Sequence, residues 1–348
     1  MKKIWMTLVC CTLLVLAACG SNSSGGSSSS SSSNSNSSSS DGGGSKEAEK
    51  TVKVGIIQLV EHPSLDAARE GFVAAIKDAG YEEGKNLKLD YQNAQGDMNN
   101  NMSIAQNLVA DQNDVILAIA TASAQAVVQS TNEIPILFTA ITDPVGAKLV
   151  ESFENPGGNV SGTSDTHPDA IKNTINAIKK FIPDAKKVGI IYNSGEPNSV
   201  VNVENAKKVI AEIGLEAVET SVSTSSEVKQ AAESLVGRAD VFYIPKDNTV
   251  VSALESVITV ANEKKIPMFV GEGDSVKRGA FASYGLDYHD LGYSTGKMAL
   301  DILNGKKPSE IPVGFPENLE LVINKKAAEL QGITLTEEIL KDAKIVGE

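Results

Sequence analysis

The sequence from residue 51 onward predicts an α/β protein of two lobes, each a doubly wound parallel sheet, joined by three crossover strands. Three observations carry that expectation. Short runs rich in Val and Ile alternate with stretches of helical period, the order of these units repeats halfway along the chain, and three segments flanked by Gly or Pro can carry the chain between the halves. About 300 residues follow the N-terminal tract, more than one core usually organises.

In chain order, apolar runs place strands at 52–58, 87–92, 115–120, 136–139, 188–192, 215–222, 241–244 and 268–270. Helical periodicity falls at 64–79, 99–110, 123–130, 168–181, 199–213, 225–236, 249–264, 289–304 and 325–330. Strands apolar along nearly their whole length belong to a parallel sheet covered on both faces. The halves then match each other. Val54-Gly55-Ile56-Ile57 returns as Val188-Gly189-Ile190-Ile191, and Asp114-Val115 as Asp240-Val241. Ile134-Pro135 returns as Ile266-Pro267, and Asp143 with Gly146 as Asp274 with Gly279. The offsets all lie near 130 residues, as a doubled β-α unit requires.

The candidate crossings are 156–162, 279–287 and 312–319. The helix from His289 would return to the first lobe, and the tail from about Leu321 would finish the second. The expected boundaries are 51–160 plus 286–314 for lobe one and 161–285 plus 315–348 for lobe two. Lobes joined in this way close on a small ligand by bending a few hinge residues.

Residues 1–18 read as a secretory signal: Lys2 and Lys3 precede an apolar run too short to remain as a span. Leu16-Ala17-Ala18-Cys19 resembles the bacterial lipobox, which implies cleavage before Cys19 and lipidation of its thiol. Residues 19–50 are then the lipidated cysteine and a tether that is almost wholly Ser, Gly and Asn up to residue 46. Such a tract has nothing to seed a core and reaches about 30 Å as a coil, about 90 Å if pulled straight. Cys10 and Cys11 leave with the signal, so the folded part holds no cysteine for disulfide, zinc or thiol chemistry. The net charge of -13 becomes about -15 without Lys2 and Lys3, which argues against nucleic acid and against direct contact with anionic lipid; the lipid anchor is the only membrane contact expected.

In open parallel sheets, ligands bind where strands end and helices begin. The loops at those ends are polar here. The first lobe offers Gln58 and Ser64, then Thr121, Ser123, Ala124 and Gln125, then Thr139, Thr142 and Asp143, with Asp165 beyond the glycine-rich segment. The second offers Tyr192, Asn193 and Asn198, then Asp247 and Asn248, then Glu272 and Tyr284. The Thr121–Gln125 loop opens a helix with small hydroxyl residues beside unpaired N–H groups, a seat for a carboxylate or a plain cap. Asp247, ahead of Asp143, is the candidate partner for an ammonium, and each is also a candidate cap or turn residue. Tyr192 and Tyr284 could pack against an apolar side chain, whereas Phe138 suits the core.

Catalytic patterns are missing from the sequence. His62, His167 and His289 have no paired spacing for a metal or triad, although the first two could line a cleft. There is no GxSxG, Walker loop or GxGxxG, and Ser294-Thr295-Gly296-Lys297 sits inside a helical pattern without the motifs that accompany S-x-x-K. No enzyme activity, cofactor or metal is expected.

Several blocks together resemble a known family. Gln58…Glu61-His62-Pro63-Ser64-Leu65-Asp66, Ala120-Thr121-Ala122-Ser123-Ala124-Gln125 and Ala140-Ile141-Thr142-Asp143-Pro144-Val145-Gly146-Ala147 are three of them. Asn155-Pro156-Gly157-Gly158-Asn159-Val160-Ser161-Gly162 and His289-Asp290-Leu291-Gly292 are two more. They are similar to the substrate-binding lipoproteins of tryptophan/tyrosine-type ABC importers. The resemblance implies a type I periplasmic-binding fold, a free and often aromatic amino acid as ligand, and delivery to a permease with its ATPase. Tyrosine is favoured over tryptophan and phenylalanine, since Gln58, Asn193 and Asn198 could partner its hydroxyl. The expected protein is a monomer on the outer face of a bacterial cell membrane. A tethered surface lipoprotein could also act as an adhesin on host cells.

Overall fold

The computed structural model describes residues 51–347. The expected signal at 1–18, lipidation at Cys19 and the tether to residue 50 lie outside the described residues. The first lobe opens with β1 (Val52–Gln58), α1 (Pro63–Asp78), β2 (Leu87–Asn93) and α2 (Met98–Ala110). It continues through β3 (Val115–Ile119), α3 (Thr121–Ser130), β4 (Ile136–Ile141) and β5 (Val160–Ser164). These strands form a parallel sheet in the order β2-β1-β3-β4-β5.

The second lobe follows with α4 (Ala170–Phe181), β6 (Lys187–Asn193), α5 (Pro197–Glu212), β7 (Glu216–Val222) and α6 (Val228–Leu235). Next come β8 (Val241–Ile244), α7 (Asn248–Ser252), α8 (Leu254–Lys264), β9 (Met268–Val270), α9 (Gly273–Arg278) and β10 (Ala282–Gly285). The chain returns to the first lobe for α10 (Tyr288–Leu303). It ends on the second with β11 (Glu320–Asn324), α11 (Lys325–Leu330), α12 (Glu337–Leu340) and β12 (Ala343–Val346). The second sheet runs β12-β11-β10-β9-β8-β6-β7 and is parallel except where β10 meets β11.

Each sheet has an apolar core on both faces, which is why its central strands carry Val and Ile on alternate sides. The return of α10 depends on glycine. A Cβ on Gly292 would lie 1.8 Å from the carbonyl oxygen of Ala68, and one on Gly71 2.0 Å from that of His289. The two backbones touch, so α10 seats directly on α1.

Three expectations need correction. Residues 156–162 are not the first crossing, because β5 occupies their end and extends the first sheet to Ser164, beyond the boundary at 160. The strand is polar and yet buried, since its hydroxyls find partners. Thr163 Oγ1 lies 2.9 Å from Thr139 Oγ1 and 2.7 Å from Thr295 Oγ1, and Ser161 donates to the Ile311 carbonyl at 2.6 Å. The helix expected at 249–264 is two helices broken at Ala253, and the segment 279–287 contains β10.

Candidate functional site

The turns after β1, β4, β5, β8 and β9 meet the first turns of α1, α5, α7 and α10 around one pocket between the lobes. It encloses about 20 Å³, space for about one water, so a larger solute enters only when the lobes part. Backbone strain marks the first lobe's side. Ala120, at the end of β3, has φ 76° and ψ 155°, a region that side chains rarely adopt, and Ala140, which lines the pocket, has φ 57°. Non-glycine residues held there cost about 1–3 kcal/mol each and cluster at ligand clamps.

Asp165 stands where the chain leaves the first sheet and is the electrostatic centre of the pocket. Tyr288 donates its hydroxyl to Asp165 Oδ2 at 2.8 Å, and Thr142 approaches Oδ1 at 3.4 Å. Lys246, from the second lobe, places Nζ 3.5 Å from Oδ1 and also donates to the Asp165 carbonyl. Burial, then the charge of Asp165, holds the Tyr288 phenol well above its ordinary pKa, so it remains a donor. Two weaker contacts cross the lobes: Asn202 Nδ2 donates to Thr142 Oγ1 at 3.2 Å, and His62 Nε2 lies 3.4 Å from Asn248 Oδ1.

The second lobe's edge is organised around Glu196, a residue the sequence reading passed over. Glu196 Oε2 accepts from the Asn248 N–H at 3.0 Å, Asn248 Nδ2 at 2.7 Å and Asn198 Nδ2 at 3.1 Å. Its Oε1 accepts from the Thr249 N–H at 2.9 Å and the Thr249 hydroxyl at 2.6 Å. Asp247 is similarly engaged, accepting the Asn193 N–H at 2.5 Å and the Val250 N–H at 2.7 Å as the cap of α7. Burial, aided by the charge of Glu196, pushes its pKa up to about 7. Both oxygens of Asp247 are occupied by backbone N–H groups, whereas those of Asp165 face side chains only: Tyr288, Thr142 and Lys246.

The other expected residues divide. Thr142, Asn198, Asn248 and Glu272 line the pocket with Asp165 and Asp247; Glu272 Oε1 also accepts from Ser275 at 2.8 Å. Gln58, Ser64 and Thr121 are buried along the first lobe's edge, each with a side-chain oxygen lacking a partner: Gln58 Oε1, Ser64 Oγ and Thr121 Oγ1. His62 Nδ1, inside the pocket, is unpartnered too.

The remainder serve structure. Ser123 donates to Asn101 at 2.9 Å and ties α3 to α2, Ala124 lies in the core, and Gln125 donates to the Ala147 carbonyl at 3.2 Å. Thr139 belongs to the threonine cluster on β5, and Asp143 accepts the Gly146 N–H at 2.8 Å in a turn. Tyr192 donates to Glu219 at 3.3 Å, Tyr284 packs on the second lobe's core, and Asn193 donates Nδ2 to Thr249 at 2.9 Å. Lys246 and Tyr288 are pocket residues that periodicity could not single out: one sits in a loop among better-known ligand types, the other immediately precedes the expected helix.

A larger groove, about 710 Å³, runs along the crossing segments between β10 and α10 and around Phe315. Three of its five carboxylates are already engaged: Asp274 with Lys277 at 2.7 Å, Glu320 with Lys344 at 3.0 Å, and Asp287 as the cap of α10. The interlobe pocket is the better-defined site.

Two α/β lobes that enclose a polar pocket at their strand ends, joined by chain segments able to bend, define a solute-binding protein. Residues 53–346 match the family model of ABC transporter substrate binding proteins, and the chain belongs to that family. It is 48% identical over 291 residues to the tyrosine-binding protein of Clostridioides difficile, covering 83% of this chain and 84% of that protein. A Streptococcus pneumoniae ABC domain in complex with L-Trp is similar with a TM-score of 0.81 at 36% identity, covering 85% of this chain and 100% of that one. The ligand-free, open structure of a Clostridium difficile substrate-binding protein with adhesive properties gives 0.64 at 43% identity, covering 85% and 99%. The L-Trp complex superposes better than the open, ligand-free structure although its identity is lower. Proteins of this family bind solutes for transport and are not enzymes, and they act outside the cytoplasm.

Proposed function

We propose that this chain captures a free aromatic amino acid between its lobes, tyrosine ahead of tryptophan and phenylalanine, and passes it to a membrane permease driven by an ATPase. It works as a monomer, held at the outer face of the cell membrane through lipid on Cys19. The observation that carries this reading is the unequal satisfaction of polar groups in the pocket and along the first lobe's edge. Gln58 Oε1, His62 Nδ1, Ser64 Oγ and Thr121 Oγ1 are buried without partners, where native interiors leave few such atoms. They suit the carboxylate and phenolic hydroxyl of the ligand, and Asp165 suits its ammonium. The names of the relatives point to the same ligand class.

The test is mass spectrometry of small molecules released on denaturing the purified protein, with titration calorimetry against tyrosine, tryptophan, phenylalanine, leucine and glutamate. Release or tight binding of an aromatic amino acid supports the reading. Binding restricted to aliphatic or acidic amino acids sinks it. A second reading, adhesion to host cells, draws on the adhesive properties ascribed to the Clostridium difficile relative. Cell binding that survives saturation with the ligand would assign it to a separate surface, and absence of cell binding would remove it.

A further inference from the structure

We infer that Lys246 makes the site select zwitterions, by releasing Asp165 to the ammonium of the incoming ligand and taking the ligand's carboxylate in exchange. The inference rests on the amino-acid reading above. Lys246 comes from the turn between β8 and α7 in the second lobe, and Asp165 from the chain leaving the first sheet. Their side chains are 10% and 5% exposed, so the pair is formed across the lobes and out of water. A ligand that brings an ammonium to Asp165 must displace that of Lys246.

The destination of the displaced ammonium follows from the partners of the neighbouring carboxylates. Both oxygens of Glu196 and both of Asp247 already accept hydrogen bonds from the second lobe, and Glu272 commits Oε1 to Ser275. The backbone of Lys246 is fixed, since Asn198 Nδ2 donates to its carbonyl at 3.1 Å and a Cβ on Gly271 would lie 3.0 Å from its nitrogen. Only the side chain is free to swing, and the ligand's own carboxylate is the anion that enters with no partner in the protein, whereas Glu272 already holds Ser275 through one oxygen. A zwitterion thus leaves every charge paired. An amine without a carboxylate strands Lys246 in a dry site, which is strongly unfavourable. An acid without an ammonium meets an Asp165 that is already taken.

The decisive experiment compares L-tyrosine with tyramine on the mature protein by calorimetry, for the wild type, Lys246→Met and Lys246→Arg, with small-angle scattering of each without ligand. We expect the wild type to prefer tyrosine at least 100-fold, Lys246→Met to narrow that ratio at least tenfold, mainly through tighter tyramine binding, and Lys246→Arg to retain it. Scattering should show Lys246→Met more open than the wild type. A Lys246→Met protein that binds tyrosine with the ratio unmoved would overturn the assignment while leaving the amino-acid reading standing. Failure of the wild type to bind either compound would remove tyrosine as the ligand. The scattering then decides alone, and identical profiles for the wild type and Lys246→Met would overturn the interlobe exchange as well.

Discussion

The edges of the two lobes satisfy their buried polar groups to different degrees. On the second lobe, Glu196, Asp247, Asn248, Asn198 and Thr249 satisfy one another, and the carboxylates are held by backbone N–H groups. On the first lobe, polar atoms of Gln58, His62, Ser64 and Thr121 are buried and left open. A saturated edge is rigid and stable by itself, whereas an edge with open valences gains most from an added partner. The difference leaves the second lobe's edge self-sufficient and the first lobe's edge with unmet hydrogen-bonding capacity.

Substitutions can break that contrast, and the largest effect belongs to the saturated edge. Glu196→Ala should cost about 3 kcal/mol of stability, because it strands several buried donors, read as a fall in the denaturant midpoint. On the open edge, Ser64→Ala and Thr121→Ala should leave stability within about 0.5 kcal/mol, since their hydroxyls have no protein partner, yet each should weaken ligand binding about tenfold by calorimetry. Equal losses of stability on both edges would erase the distinction. Ser123→Ala, close in sequence but bonded to Asn101, should do the reverse: about 1 kcal/mol less stable by the same denaturant titration, with affinity unchanged.

A further effect is read through pH. The Asp247 carboxyl, raised from 3.8 to about 7, holds its proton more tightly folded than unfolded. Its contribution is fully present below the unfolded pKa and is lost as pH rises through about 7, with a slope of at most about 1.4 kcal/mol per unit. Melting temperatures from pH 5 to 8.5 should therefore fall more steeply for the wild type than for Asp247→Asn.

Legibility in the sequence followed burial chemistry. The central strands β1, β3, β6, β8 and β9 were readable because both of their faces are covered and their residues apolar. β5 was not: Val160-Ser161-Gly162-Thr163-Ser164 has the composition of a turn, and only the distant Thr139, Thr295 and Ile311 make it a buried strand. The same holds at the site. Loops at strand ends were located by topology, and Asp165, Asn198, Asn248 and Glu272 line the pocket. The roles inside those loops depend on partners far away in the chain. Asp247 is held by Asn193, Glu196 gathers residues some fifty positions later, and Tyr288 reaches Asp165 from the other crossing.

The glycine-mediated seat of α10 on α1 has a consequence for biogenesis. Helix α1 ends at Asp78 and α10 begins at Tyr288, so the first lobe cannot complete its core until the whole second sheet up to β10 has been synthesised. Contacts of such long sequence separation form late and slowly. For a protein whose workplace is outside the cytoplasm, a nascent chain that cannot finish its first half early stays threadable through a translocation channel.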